Sequence, residues 1–126
     1  VERFEIGPET TLVGHSCGGG FWMRYLSEHS NLKVGKVILV APSLNPEKTW
    51  GKEMFNFTID QNLMNRVEEL VIFNSTDDHA AIQETVRILR EAFPKLSYKE
   101  FTNMGHFTVA DMPSSEFPEL VSEILS

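Results

Sequence analysis

Five residues of this chain, Gly14-His15-Ser16-Cys17-Gly18, match the pattern G-x-S-x-G, which places a serine where it can act as a nucleophile. The short β-branched segment 10–13 comes before them. Apolar residues at helical spacing come after them, namely Phe21, Trp22, Tyr25 and Leu26. Ser16 is therefore predicted to lie on a tight turn between a strand and a helix, with a strained backbone that exposes its Oγ. The same pattern also occurs by chance in ordinary Gly-Ser turns, so other residues must support this interpretation.

The residue after Ser16 supplies a second part of such a site. The N–H of Cys17 begins the predicted helix and points to where negative charge develops on an attacked carbonyl, and the helix dipole adds to this effect. We therefore predict that Cys17 donates to an oxyanion through its main chain. Its thiol is predicted to pack beside the turn, because activation of a thiolate would need a base of its own.

Two further groups extend this chemistry, in the order serine, aspartate, histidine along the chain. Asp77 and Asp78 follow the apolar segment 69–74, and His106 follows the segment 96–101. A serine hydroxyl is a poor nucleophile until an imidazole takes its proton and a carboxylate holds that imidazole in the right tautomer. This order is that of α/β-hydrolases. Adjacent residues point in different directions, so one aspartate is expected to face His106 and the other to cap the next helix.

The remaining histidines and two other aspartates are less well placed for these roles. His15 is expected to point away from the serine hydroxyl, and His29 and His79 fall near helix ends, so all three are predicted to be structural or solvent-facing. Asp60 is predicted to lie in the middle of a helix. Asp111 comes after the loop that carries the candidate base.

The elements that must position these residues alternate between strands and helices. Strands are predicted over residues 10–13, 36–41, 69–74 and 96–101, and helices after Ser16, within 57–67, over 80–93 and from Ser115 onward. Strands separated by such helices imply right-handed crossovers and a parallel sheet covered on both faces. Reactive groups gather at the carboxyl ends of parallel strands. The sequence thus predicts one α/β domain over residues 1–126, with a parallel sheet of about four strands flanked by helices.

Composition argues against several other classes of function. The chain has 126 residues and a formal net charge of −7, so a nucleic-acid backbone would be repelled. It has no apolar run of membrane-spanning length, and its first residues do not have the layout of a signal peptide. One cysteine cannot form an internal disulfide. We therefore expect a cytoplasmic protein that acts on a small-molecule acyl substrate, without a metal, a cofactor, nucleic acid or a membrane.

With these residues assembled, the chain resembles the small serine hydrolases grouped with retinoblastoma-binding protein 9 and the bacterial YdeN-type proteins, a branch of the α/β-hydrolases. The matching segments are 12–16, 23–25, 37–41, 73–78 and 101–107, of which the paired aspartates and Gly105-His106-Phe107 are the most specific. The resemblance implies Ser16 as nucleophile and His106 as base. It implies Asp78 rather than Asp77 as the acid, because the family acid resembles the second of the pair.

The chain also departs from this family in two places. The family acid is followed by a short segment that ends in Leu/Val-Pro, whereas here Asp78 leads directly into a helix pattern. The family has a further N-terminal portion, with its first strand and a Gly-rich loop that would line the oxyanion site. The resemblance therefore implies the C-terminal part of an α/β-hydrolase fold, truncated at its N-terminus. Its open sheet edge at residues 10–13 would favour a homodimer.

Two functions are consistent with these residues. The first is a serine hydrolase that cleaves a small ester, thioester or amide through an acyl-enzyme. The alternative is a catalytically weak or inactive hydrolase-fold binding or regulatory protein, because the loss of one oxyanion donor commonly costs about 10²–10³ in rate. Trp50, Phe55 and Phe57 are candidates for lining an acyl pocket, although aromatic residues with this spacing more often pack in a core.

Overall fold

In the part of the chain that the structure describes, four parallel strands form the central sheet. The structure is a computed structural model that describes residues 5–45 and 56–126. The strands are β1 (Thr11–His15), β2 (Val34–Val40), β3 (Val67–Ser75) and β4 (Ser97–Phe101), and they lie side by side in this order. The predicted parallel α/β sheet of four strands is confirmed. All four carboxyl ends therefore meet at one edge of the sheet.

Among the described residues, three helices cover the two faces of this sheet. They are α1 (Cys17–Glu28), α2 (Ala80–Ala92) and α3 (Pro118–Leu125). Successive side chains of a strand point to opposite faces of the sheet. By the register of the strands, Gly14 and Asn74 lie on one face and Lys36 lies on the other. Gly14 contacts α1, Asn74 contacts α2 and Lys36 contacts α3. α1 and α2 lie on one face, and α3 lies on the other. Within the described ranges, no helix combines the length and apolar character needed to cross a bilayer.

The core lies around β2 and β3, whose side chains are buried on both faces. These strands read as nearly continuous β-branched and aliphatic runs, which is typical of a parallel sheet covered on both sides. Met23 and Leu26 of α1 and Leu89 of α2 are fully buried against them. Burial of one such side chain contributes about 1.5–3 kcal/mol. This packing holds the strand ends, and therefore any residues that follow them, in fixed relative positions.

The predicted helix within residues 57–67 is wrong. The segment holds a single 3₁₀ turn, Leu63–Asn65, and Val67 begins β3 by pairing with Val34. Asp60 is therefore not in a helix: its carboxylate accepts a bond of 2.8 Å from Nη2 of Arg66, which holds the pKa of Asp60 below its ordinary value. The pairing of Val67 with Val34 in the sheet is more favourable than the helix that the spacing of apolar residues suggested. Phe57 is half-buried against the core, and the other two candidate pocket residues, 50 and 55, lie outside the described ranges.

β1 is an edge strand of the sheet within the described residues. The N–H of Lys36 bonds the carbonyl of Thr10, and the N–H of Ser16 bonds the carbonyl of Val40, so the even-numbered residues of this segment pair with β2. The carbonyl of Val13 consequently points to the free edge. The indole N–H of Trp22 donates to it over 3.2 Å. One side chain of α1 thus occupies part of the open edge.

Candidate active site

Ser16 lies on a strained turn between β1 and α1, as predicted. Its backbone has φ 57° and ψ −121°, a conformation that costs a residue with a side chain about 1–3 kcal/mol. Surrounding bonds hold it there: its N–H donates to Val40, and its carbonyl accepts from the N–H groups of Gly19 and Ser43, each at 3.0 Å. The turn also brings the backbones of residues 14 and 18 together, so a Cβ on Gly14 would lie 2.6 Å from the carbonyl oxygen of Gly18.

The structure brings Ser16, His106 and Asp78 together at the carboxyl edge of the sheet. The distance from Ser16 Oγ to His106 Nε2 is 2.9 Å, and His106 Nδ1 lies 3.0 Å from each carboxylate oxygen of Asp78. A carboxylate only accepts hydrogen bonds, so Nδ1 carries the hydrogen and Nε2 accepts from the serine hydroxyl. The imidazole is therefore in the tautomer that can take the proton of Ser16.

The depth of burial differs between the members of this group. The side chain of Asp78 has no exposed surface, whereas 19% of the His106 side chain is accessible. The main-chain N–H of His79 gives the Asp78 carboxylate a further bond of 2.7 Å. The imidazole is thus anchored through Nδ1 to a buried carboxylate and is itself partly accessible.

Asp77 contacts the loop before His106 and does not cap a helix. The N-cap of α2 is His79, which makes no side-chain cap bond. The expectation that the aspartate not facing His106 caps this helix is therefore wrong. The Asp77 carboxylate accepts a short hydrogen bond from the hydroxyl of Ser75 and one of 3.1 Å from the N–H of Gly105. The Ser75 bond holds the pKa of Asp77 below its ordinary value. Ser75 Oγ in turn accepts from the N–H of Met104 at 3.1 Å.

Asp111 also binds this loop, which the sequence did not indicate. Its Oδ2 accepts from the main-chain N–H of His106 at 3.0 Å. Gly105 has φ 56°, and a Cβ on it would lie 2.6 Å from the Cβ of Asp111, so the loop needs glycine for both conformation and space. A carboxylate five residues beyond the candidate base therefore fixes that base through its backbone.

His15 is exposed, in line with the expectation that it is structural or solvent-facing, and it also contacts His106. Its Nε2 lies 2.7 Å from the main-chain oxygen of His106, and the two ring centroids are 5.0 Å apart. His29, by contrast, stacks on Tyr25 at the end of α1. All four polar atoms of His106, two in the main chain and two in the ring, are therefore hydrogen bonded.

Cys17 begins α1, directly after the serine. The first N–H groups of a helix have no partner within it, and the helix dipole places partial positive charge there. The Cys17 thiol is half-buried and free. The arrangement can therefore combine a serine nucleophile, a base and a helix N-terminus at one point.

No cluster of three or more His, Cys, Asp or Glu side chains suited to a metal ion occurs among the residues that the structure describes.

The parallel sheet, its flanking helices and the turn at Ser16 form an α/β-hydrolase fold. The family described as serine hydrolase matches residues 3–122 of the sequence. Because this match extends over most of the chain, the protein belongs to that family. No curated protein matches the sequence.

Several solved structures share the fold. The ydeN gene product of B. subtilis is 20% identical with a TM-score of 0.78, over 95% of this chain and 67% of that one. A predicted CIB-like hydrolase from Thermoplasma acidophilum is 17% identical with a TM-score of 0.60, over 94% and 51%. Esterase 2 of Thermogutta terrifontis, phosphoramylated by tabun, is 18% identical with a TM-score of 0.56, over 91% and 53%. The chain thus spans about two thirds of the first structure and about half of the others.

Proposed function

We propose that this protein hydrolyses a small ester, thioester or amide through an acyl-enzyme, with Ser16 as nucleophile, His106 as base and Asp78 as the acid that orients the base. The observation that carries this proposal is the continuous chain of hydrogen bonds from Ser16 Oγ through both ring nitrogens of His106 to Asp78. Membership of the serine hydrolase family and the resemblance to the retinoblastoma-binding protein 9 and YdeN-type branch support it.

The reaction would proceed in two halves. Ser16 Oγ attacks the substrate carbonyl as its proton passes to His106 Nε2, and the carbonyl oxygen becomes an oxyanion that accepts from the N–H of Cys17. The imidazolium is stabilised by Asp78 and then gives its proton to the leaving alcohol, thiol or amine. Water, deprotonated by the same imidazole, attacks the acyl-enzyme and releases the acid. Ser16 then regains its proton from His106.

The exposure of the site and the charge of the chain guide the choice of a first test substrate. The His106 side chain is partly accessible, and Ser16 lies at the surface end of a strand, so a small acyl group can reach Oγ. The net charge of −7 disfavours polyanionic substrates. A small neutral acyl ester is therefore the best first substrate to test, in line with the esterase among the structural relatives.

The proposal is tested by labelling with a fluorophosphonate, followed by peptide mass analysis, and by turnover of p-nitrophenyl acetate and butyrate. We expect one label per chain, on Ser16, and none in the Ser16→Ala variant. Ser27→Ala is the matched control, because Ser27 lies at the other end of α1. Labelling of the Ser16→Ala variant at the wild-type rate would contradict the proposal.

A second candidate function is favoured by one observation, the edge position of β1. No strand pairs with the far side of β1 within the described ranges, and in α/β-hydrolases a loop that follows another strand supplies the second oxyanion donor. A scaffold with one donor would bind acyl compounds and turn them over slowly. Stoichiometric fluorophosphonate labelling without measurable ester turnover would support this binding or regulatory role.

A further inference from the structure

We propose that His15 is a positioning residue, which fixes the main chain of His106 relative to the nucleophile. This inference rests on the proposed function, because it assigns a role toward the reaction of Ser16. The Nε2 of His15 lies 2.7 Å from the main-chain oxygen of His106. A carbonyl oxygen only accepts, so the hydrogen is on Nε2 and the imidazole is the donor.

This bond can orient the His106 imidazole because His15 is adjacent to the nucleophile in the chain. His15 and Ser16 are consecutive, and each bonds to His106, one to the main chain and the other to the ring. Two attachments from one rigid turn fix both the distance and the orientation of the imidazole relative to Oγ. The backbone of that turn is itself held by the bonds of Ser16 to β2 and to residues 19 and 43.

The bonds that Asp111 and Asp78 make to His106 do not reach the turn. Asp111 holds its N–H from within the same loop, and Asp78 holds its ring from the end of β3. Among the hydrogen bonds of the described residues, the one from His15 joins the main chain of the base to the strand that carries the nucleophile. Reacting groups misplaced by about 1 Å can lose about 10²-fold in rate, so this link affects the chemical step more than the fold.

The inference is tested with three substitutions of this exposed side chain. His15→Phe keeps a ring but removes the donor, His15→Ala removes both, and His15→Gln keeps an N–H that can reach a carbonyl. We expect the Phe and Ala variants to slow fluorophosphonate labelling of Ser16 by about 10- to 100-fold. The Gln variant should recover most of the rate. In ester turnover, kcat should fall while KM changes little.

His29→Phe is the matched control. His29 also bonds a main-chain oxygen, that of Tyr25 at 2.7 Å, but it follows the 12-residue helix α1 and so lies about 18 Å along the helix from the turn. Its substitution should leave the labelling rate unchanged. Thermal unfolding of all variants should stay close to that of the wild type, which distinguishes positioning from a structural role.

The outcomes separate this inference from the proposed function. If wild-type Ser16 is labelled and the His15→Phe variant is labelled equally fast, the inference is overturned and the proposed function stands. Equal slowing in the Gln and Phe variants would also overturn it, because the donor would then not matter. If the wild-type protein is not labelled at Ser16, the proposed function fails, and the role of His15 fails with it.

Discussion

The carboxylate of Asp77 accepts a hydrogen bond of 3.1 Å from the main-chain N–H of Gly105, one residue before the histidine whose ring binds Asp78. Two adjacent aspartates at the end of β3 therefore act on one loop in different ways. Asp78 binds the imidazole, and Asp77 binds the backbone that carries it. Their different contacts allow the two candidate acids to be distinguished by substitution.

The first prediction is that Asp78→Asn abolishes most of the reactivity of Ser16 and leaves the protein folded. An amide can donate to Nδ1 and so favour the wrong tautomer of His106, which we expect to slow labelling by about 10²–10⁴-fold. Asp77→Asn keeps an acceptor oxygen for Gly105 and should change the rate by less than about 10-fold. The measurement is the rate of fluorophosphonate labelling at pH 7. A steep loss in the Asp77 variant with little loss in the other would reverse the two roles.

The second prediction is that Gly105→Ala displaces the histidine loop. Its positive φ and the 2.6 Å approach of a Cβ to Asp111 mean that either the turn or the Asp111 bond to the main chain of His106 must change. We expect slower labelling of Ser16 and a loss of about 1–3 kcal/mol in the free energy of unfolding, measured with urea. Gly7→Ala is the control, because a Cβ there meets no atom within 4 Å. Equal effects at both positions would contradict this account of the loop.

The third prediction concerns pH and the ion pair that holds α3 on the sheet. The ammonium of Lys36 on β2 donates to the Glu123 carboxylate at 2.9 Å and to its main-chain oxygen at 2.8 Å. This pair raises the pKa of Lys36 above 10.5 and lowers that of Glu123 below 4.5. The stabilisation should therefore be present from about pH 4.5 to 10.5, and lost below this range as Glu123 protonates and above it as Lys36 deprotonates.

Urea unfolding across this pH range, in the wild type and in Lys36→Met, checks the prediction. The substitution should cost about 1–3 kcal/mol near pH 7, because it removes the cation 2.9 Å from the largely buried Glu123 carboxylate and leaves that of Lys99 at 3.9 Å. The cost should fall toward both extremes of pH. α3 contains no buried residues, so its amide hydrogens should exchange faster in the variant. A difference that stays constant from pH 3 to 11 would show that the pair does not control the docking of α3.

The fourth prediction is that Trp22→Phe increases self-association through β1. The indole N–H of Trp22 bonds the carbonyl of Val13 on the free edge, and Val13 and Phe21 are exposed beside it. Phenylalanine keeps the ring but frees this carbonyl, which a strand of a second copy can then use. Sedimentation over a range of concentrations should show more dimer for the variant than for the wild type. Equal association of the two proteins would mean that the indole does not protect the edge.

Local sequence patterns predicted the sheet and three of the four expected helices well. β2 and β3 are long apolar runs whose strand state needs no knowledge of distant residues, and α2 follows a regular apolar stripe up to Pro94. The helix prediction for residues 57–67 failed because the structure of this segment depends on a partner that is distant in the sequence. Val67 pairs with Val34, and this pairing is not encoded in the spacing of neighbouring apolar residues.

The same limit applies to the site. The types and order of Ser16, the aspartate pair 77–78 and His106 predicted which residues the strand ends bring together, since parallel strands deliver their carboxyl ends to one edge. The choice of Asp78 over Asp77 came from the family resemblance. The contacts of His15 and Asp111 with His106 were not predicted, because each is made to a main-chain atom of His106. Every residue carries such atoms, so the sequence contains no signal for which one a side chain will reach.

The candidate nucleophile and base are 90 positions apart in the chain, at the ends of β1 and β4, with two strands between them in the sheet. Ser16 and His106 can meet only when all four strands have docked in register. Partly folded molecules with intact helices would still lack this contact. The fraction of chains that react at Ser16 should therefore equal the fraction that is completely folded. Labelling of this serine would then measure folding as well as reactivity.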